Sequence, residues 1–228
     1  MTDKTRALED PVGGPPCLPD GWTVGMVWHG DHLFDEAERL EYQSFVAEGF
    51  CGTSDSGRVG EYEPWREWSV FHVVKDNDDQ LVGVVRGLVG EFRDLPVGHF
   101  VTTVEVPPNP VYEYASLAVV KEGRSLGVAE ALYRSVWNHA VRCGVGGLVA
   151  IVEEWLLNLL TDHYCFGFER LGPTEWYMGG HCLPAGGQLA RISCQLPDER
   201  PKLWSFLTET LSADELAQVL VMHSDLAV

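Results

Sequence analysis

The spacing of apolar and polar positions, and the points where its period changes, divide the chain into a readable series of elements. Residues 22–28 form a short predicted strand. Asp31 then caps a helix that carries Leu33, Ala37, Leu40 and Phe45 along one face and stops near Gly49. Residues 50–64 hold Gly52, Gly57, Gly60 and Pro64 among serines and aspartates, which predicts a long loop, and loops of that length are often functional. The clearest local signal is a hairpin. Residues 69–75 and 81–86 are rich in β-branched positions and flank a polar turn at Asp76-Asn77-Asp78-Asp79.

After an irregular stretch with Pro96, Pro107, Pro108 and Pro110, residues 111–120 return as a strand and run straight into Lys121-Glu-Gly-Arg-Ser-Leu-Gly127. Beyond Gly127 the period becomes helical, with Val128, Leu132, Val136 and Ala140 on one face and a stop at Gly144. Residues 148–152 predict a buried strand and 154–164 a helix. Two further strands are expected at 175–178 and 188–196. The tail predicts helices over 201–211 and 212–222, the second opened by a capping box of Ser212 and Glu215. Strands first, then alternating helix and strand, imply an α/β fold: a mixed, mostly antiparallel sheet flanked by helices on both faces.

With 228 residues, 45% of them hydrophobic, the chain can bury a substantial core. Its net charge of −18 would repel phosphate backbones and anionic headgroups, so neither nucleic acid nor a membrane surface is an expected partner. No window reaches the roughly 18 consecutive apolar residues of a membrane span. Cys17, Cys51, Cys143, Cys165, Cys182 and Cys194 form no C-x-x-C pair and no metal-ligand spacing, which fits free thiols in a cytoplasmic protein without a metal. Prolines and glycines fill residues 1–20, read as a flexible leader. The expected organisation is this leader, one domain over 21–196 and a helical extension over 197–228.

Candidate chemistry begins at the turn between the 111–120 strand and the next helix. Arg124-Ser125-Leu126-Gly127-Val128-Ala129 places main-chain N–H groups at a helix start, where the dipole favours an anion, and its glycine admits a bulky phosphate. The alternative is an ordinary helix start. Arg-x-x-Gly-x-Ala in this position resembles the pyrophosphate-binding turn of GNAT-type N-acyltransferases, and the order of elements over residues 22–196 is similar to that fold.

A narrower resemblance covers residues 41–119. Glu41-Tyr-Gln-Ser-Phe45, the loop with Glu61, Glu63 and Trp65, Val84-Val-Arg86, Phe100 and Val111-Tyr-Glu113-Tyr-Ala-Ser116-Leu-Ala-Val119 resemble a degenerate copy of the acyl-homoserine-lactone autoinducer synthases and related N-acyl amino acid synthases. In those families an Arg on the hairpin and a Glu on the fourth strand line the site, and Arg86 and Glu113 match them. Two arginines of the lactone synthases are replaced here by Glu41 and Ser116. The resemblance therefore implies a different amine from theirs, and a homoserine lactone is not the expected product.

Acyl transfer from a thioester to an amine needs a neutral nucleophile, a polarised carbonyl and a proton for the departing thiol. Glu113, on a mostly apolar strand, is the candidate base, or else faces solvent. The resemblance makes a tyrosine after the fifth strand the proton donor. Tyr164 is the nearest match and His163 its competitor. Asn158 is a candidate contact for the pantetheine arm, and the main chain around Leu117 to Val119 for the thioester oxygen. Arg86 either binds a substrate carboxylate or phosphate or pairs with nearby acids. Trp65, Trp68, Phe71 and Phe100, with Ser116, are expected around the acceptor, lining a tunnel for a longer acyl chain or simply forming core.

The expectation is thus N-acyl transfer from acyl-CoA or acetyl-CoA, as substrate, to a small-molecule amine or amino acid. An acyl carrier protein is a possible alternative donor; such carriers are acidic, and Lys121, Arg124 and Arg134 near the turn are too few to make a docking patch for one, which favours acyl-CoA. The competing expectation is a silent protein of the same fold that binds acyl-CoA or a small ligand, with a homodimer possible through the C-terminal helices.

Overall fold

The computed structural model describes residues 15–164 and 166–221, without the side chains of 163, 220 and 221. Most of the 1–20 leader, and Cys165, lie outside the described residues. The strands are β1 (Thr23–Trp28), β2 (Val70–Lys75), β3 (Leu81–Gly90), β4 (Val111–Val119), β5 (Gly147–Glu153), β6 (Glu169–Arg170), β7 (Glu175–Tyr177) and β8 (Gly180–Gln188). They make one sheet in the order β1-β2-β3-β4-β5-β8-β6, with β7 paired to β8 off this path. Pairing is antiparallel except between β4 and β5. The expected mixed, mostly antiparallel α/β sheet is what forms.

Helices cover both faces. On one side α1 (Phe34–Glu48) buries Phe34 and Ala37 against Phe71, Val73 and Val84. On the other, α2 (Val128–Arg142) lays Ala131, Leu132, Val136 and Ala140 on the sheet. Each fully buried leucine of this kind contributes about 1.5–3 kcal/mol. The chain finishes with α4 (Leu189–Glu199), α5 (Pro201–Thr208) and α6 (Ala213–Val221), after the short α3 (Glu154–Asn158). The capping box forms as expected: the Ser212 N–H donates to Glu215 Oε2 at 2.7 Å, and the Glu215 N–H to Ser212 Oγ at 3.2 Å. No helix among the described residues is long and apolar enough to cross a membrane.

Several local expectations are corrected. Residues 189–199 are helix, not the strand expected over 188–196, because Leu189, Ile192 and Leu196 recur at helical spacing and all three are buried. This helix runs across residue 196, and Leu196, Leu203 and Leu207 share one cluster with α2. The strand beside β5 is β8 instead. The 50–64 loop gives way to a 3-10 helix over Gly60–Trp68 that buries Tyr62 and Trp65. Asp31 does not cap α1. Its carboxylate accepts the Trp28 N–H at 2.7 Å, closing the turn before the helix. The expected 154–164 helix ends as a π-turn over Leu159–His163.

One irregularity positions everything that follows. The parallel pairing of β4 with β5 extends only from Val111–Gly147 to Tyr114–Ala150. Beyond it Ala118 and Val119 stay with β3, while Ile151 to Glu153 stay with β8. The two central strands therefore part in mid-sheet, at a bulge that leaves Ala115 of β4 without a cross-strand partner opposite the Arg86–Gly87 step of β3.

Candidate active site

The parting strands enclose a cavity of about 240 Å³. Ser116 and Leu117 of β4 form one wall and Ile151 to Glu153 of β5 the other. Tyr133, Leu160 and Phe166 close it on the α2 face. Phe45, Phe50, Tyr62 and Met178 close it on the α1 face. It thus passes through the sheet rather than lying on it.

Glu113 lies on β4 immediately before the parting and is fully buried. Its Oε2 accepts the Val97 N–H at 3.1 Å, and its Oε1 has no partner. Burial pushes its pKa up to about 8, with the Val97 bond opposing part of the rise. Glu113 is not itself in the cavity wall. Tyr62 and Tyr177 are, and both lie within its electrostatic reach. The Tyr177 hydroxyl is likewise buried without a partner, while Tyr62 donates its hydroxyl to the Ala115 carbonyl. Burial raises the pKa of both tyrosines, so both remain neutral.

Arg86 resolves the choice left by the sequence: it pairs with acids. Its Nε donates to Glu41 Oε1 at 2.9 Å and its Nη2 to Glu41 Oε2 at 2.6 Å. The remaining Nη contacts are Ser69 Oγ at 2.7 Å and Glu38 Oε1 at 3.5 Å. The guanidinium is stacked between Phe71, 4.4 Å from its centroid, and Tyr62 at 5.1 Å. Burial opposes the charge, but the Glu41 carboxylate outweighs it and holds the group protonated. Ser116 donates its hydroxyl to the same Glu41 oxygen. Arg86 and Glu41 are therefore a closed internal unit behind the cavity, tied to its wall through Ser116.

At the glycine turn, Ser125 (φ +66°) and Gly127 (φ +75°) adopt left-handed conformations, and Gly127 is the N-cap of α2. The N–H groups of Val128 and Ala129 are at the helix start, where intrahelical acceptors are lacking. The Leu126 N–H contributes nothing to a cradle, because it donates to the Gly123 carbonyl at 3.3 Å. The exposed Arg124 guanidinium contacts the Val119 carbonyl at 3.5 Å and Glu48 at 3.3 Å. The main chain of Pro16 passes over the turn. A Cβ on Gly127 would fall 2.5 Å from the Pro16 carbonyl oxygen.

Tyr164 is buried, stacks on Phe166 and donates its hydroxyl to Glu130 Oε1 at 3.1 Å. Burial, then the neighbouring Tyr133 and Glu130, raise its pKa. The side chain of His163 lies outside the described residues. Asn158 is exposed and outside the cavity wall. Trp65 and Phe100 are also outside it: Trp65 donates its ring N–H to the Asp94 carbonyl at 2.8 Å, and Phe100 packs edge-on against Tyr177. Trp68 is exposed and Phe71 lies under Arg86. The aromatic wall instead includes Phe45, Phe50, Tyr62, Tyr133, Phe166 and Tyr177. Tyr133 was findable, four residues after Ala129 on the same helix. Tyr177 carried no such local signal.

The model of the acetyltransferase (GNAT) family matches residues 33–164, more than half the chain. The chain belongs to the GNAT family. At the level of the family this supports an acyltransferase. Among solved structures, this GNAT chain is similar to BjaI, a CoA-dependent acyl-homoserine lactone synthase solved with MTA, at 18% identity and a TM-score of 0.62 over 88% of this chain and 100% of that one. The lactone synthase LasI follows at 15% identity and a TM-score of 0.57, covering 73% of this chain and 89% of LasI. FeeM, an N-acyl amino acid synthase from uncultured soil microbes, matches at 13% identity and 0.56, covering 76% and 94%. At such identities the likeness is one of fold. No curated protein matches the sequence.

Proposed function

We propose that this GNAT chain moves an acyl group from acyl-CoA to the amine of a small molecule or amino acid by direct attack. The observation that carries this reading is the mid-sheet cavity with an unpartnered, buried carboxyl oxygen, that of Glu113, one residue before it. The amine nitrogen attacks the thioester carbon and the C–S bond breaks. The nitrogen's proton passes to Glu113, by way of water, and the thiolate takes its proton from Tyr164. For that last step the Tyr164 hydroxyl must leave Glu130. Main-chain groups at Leu117 to Val119 receive the thioester oxygen, and the start of α2 at Gly127, Val128 and Ala129 faces the diphosphate.

The net charge of −18 supports acyl-CoA over an acidic carrier protein. A cavity of about 240 Å³ is larger than an acetyl group needs, which supports a longer acyl chain in its α2-face part beside Leu156, Leu160 and Phe166, the α1-face part being left to the acceptor. Titrating the thiol released from acetyl-, octanoyl- and palmitoyl-CoA with a mixed amine pool tests the reading. Amine-dependent release is expected. Tight acyl-CoA binding without release would instead make the chain a sensor.

A further inference from the structure

The charge inventory around the cavity narrows the acceptor, and the argument rests on the acyl-transfer reading above. Of the described side chains that wall the cavity none is a lysine, arginine or histidine, and the one carboxylate among them is Glu153, whose Oε2 accepts the Trp155 ring N–H at 2.6 Å. Behind the wall, Arg200 lies within electrostatic reach of Tyr164 on the α2 face; the cation on the α1 face is Arg86, and it has no fork to offer. Four of its N–H directions are taken by Glu41, Ser69 and Glu38, and its faces by Phe71 and Tyr62. Arg66 is held by Glu38 and Asp35, and Arg58 lies beside Glu38 and Glu63.

A carboxylate brought into the α1-side part of this cavity, where the acceptor would sit, would lose its water and find no uncommitted cation in return. Its neighbours would be Glu153 and, behind the wall, Glu113. A neutral amine carries no charge to desolvate: the Tyr177 hydroxyl in the wall and, through water, the Glu113 Oε1 behind it are buried and unpartnered, and both accept a hydrogen bond. The α1-side wall of Phe45, Phe50, Tyr62 and Met178 suits an apolar or aromatic body.

We propose that the acceptor is a primary amine with an apolar or aromatic body and no acidic group, and that the internal pairing of Arg86 with Glu41 is what excludes amino acids. The test uses probe pairs that differ only in the α-carboxylate: phenethylamine against phenylalanine, tyramine against tyrosine, and tryptamine against tryptophan. Each is assayed with octanoyl-CoA by thiol release on the full chain. The amine of a pair is expected to exceed its amino acid at least about 100-fold in kcat/KM, since a buried charge without a partner is rejected strongly. Equal rates, or preference for the amino acid, overturn the proposal and leave acyl transfer standing. No thiol release with any probe, amine or amino acid, from any of the three acyl-CoAs overturns both. A second readout needs no turnover: N-octanoyl phenethylamine should raise the melting temperature and N-octanoyl phenylalanine should not. The reverse order overturns the proposal alone.

Discussion

Replacing Glu113 by Gln removes one titrating proton from the middle of the protein, and the consequence for stability can be worked out. The pKa of Glu113 rises from the ordinary 4.5 to about 8 because burial penalises its charged form. Between these values the folded state holds a proton that the unfolded chain has released. Stability therefore falls as pH rises from about 4.5 to 8 and levels off above. At about 1.4 kcal/mol per unit, the full loss is on the order of 5 kcal/mol. His72 works in the opposite sense at lower pH. Burial lowers its pKa to about 3, so its contribution grows as pH rises from 3 to 6.5 and is flat beyond. The window from pH 6.5 to 8 thus isolates Glu113. Urea denaturation across it should show a falling stability in the parent chain and a flatter profile in Glu113→Gln. The same variant should lose activity about 100- to 1,000-fold, while the parent's kcat/KM rises toward a plateau above pH 8. Parallel stability profiles for the two proteins would mean that Glu113 is ionised at neutral pH, and the reasoning would fail.

Glu41→Ala strips the main partner from a buried guanidinium and should cost about 3–5 kcal/mol in urea denaturation; a loss below 1 kcal/mol would show that Glu38 and Ser69 suffice. Leu156→Trp, in the cavity wall, should lower kcat/KM for octanoyl-CoA about tenfold and leave acetyl-CoA within about twofold, and an equal loss on both would place the acyl chain elsewhere. Gly127→Ala forces a Cβ into a left-handed residue and against Pro16, so about 1–3 kcal/mol of stability and a higher KM for acyl-CoA are expected. Removing residues 1–17 uncovers the same turn and should lower that KM; an unchanged value would show that Pro16 is not in the way.

The elements with a clean period were legible. The 69–86 hairpin and the helix after Gly127 needed only alternation and a 3.6-residue repeat. Strand β8 was hidden because Gly180-His-Cys-Leu-Pro-Ala-Gly-Gly-Gln188 looks like loop composition. Its glycines serve close backbone approach, since a Cβ on Gly186 would lie 2.8 Å from the Leu148 carbonyl oxygen. Of the site, Glu113 stood out as a carboxylate in an apolar run, and the glycine turn stood out by its spacing. Tyr177 did not, because it meets Tyr62 and Tyr114 around one cavity only after the sheet has formed. The partners of Arg86 lie 45 and 17 residues away in sequence. No local pattern reports a contact of that kind.

The gap between β4 and β5 amounts to two sheet margins turned inward. Margins at the rim of a sheet recruit strands from other chains and are a standing aggregation hazard. These two face each other across a cavity walled by side chains from both faces of the sheet, where a further strand has no place to pair. The geometry that admits a slender ligand is thereby also a filter against a neighbour's backbone.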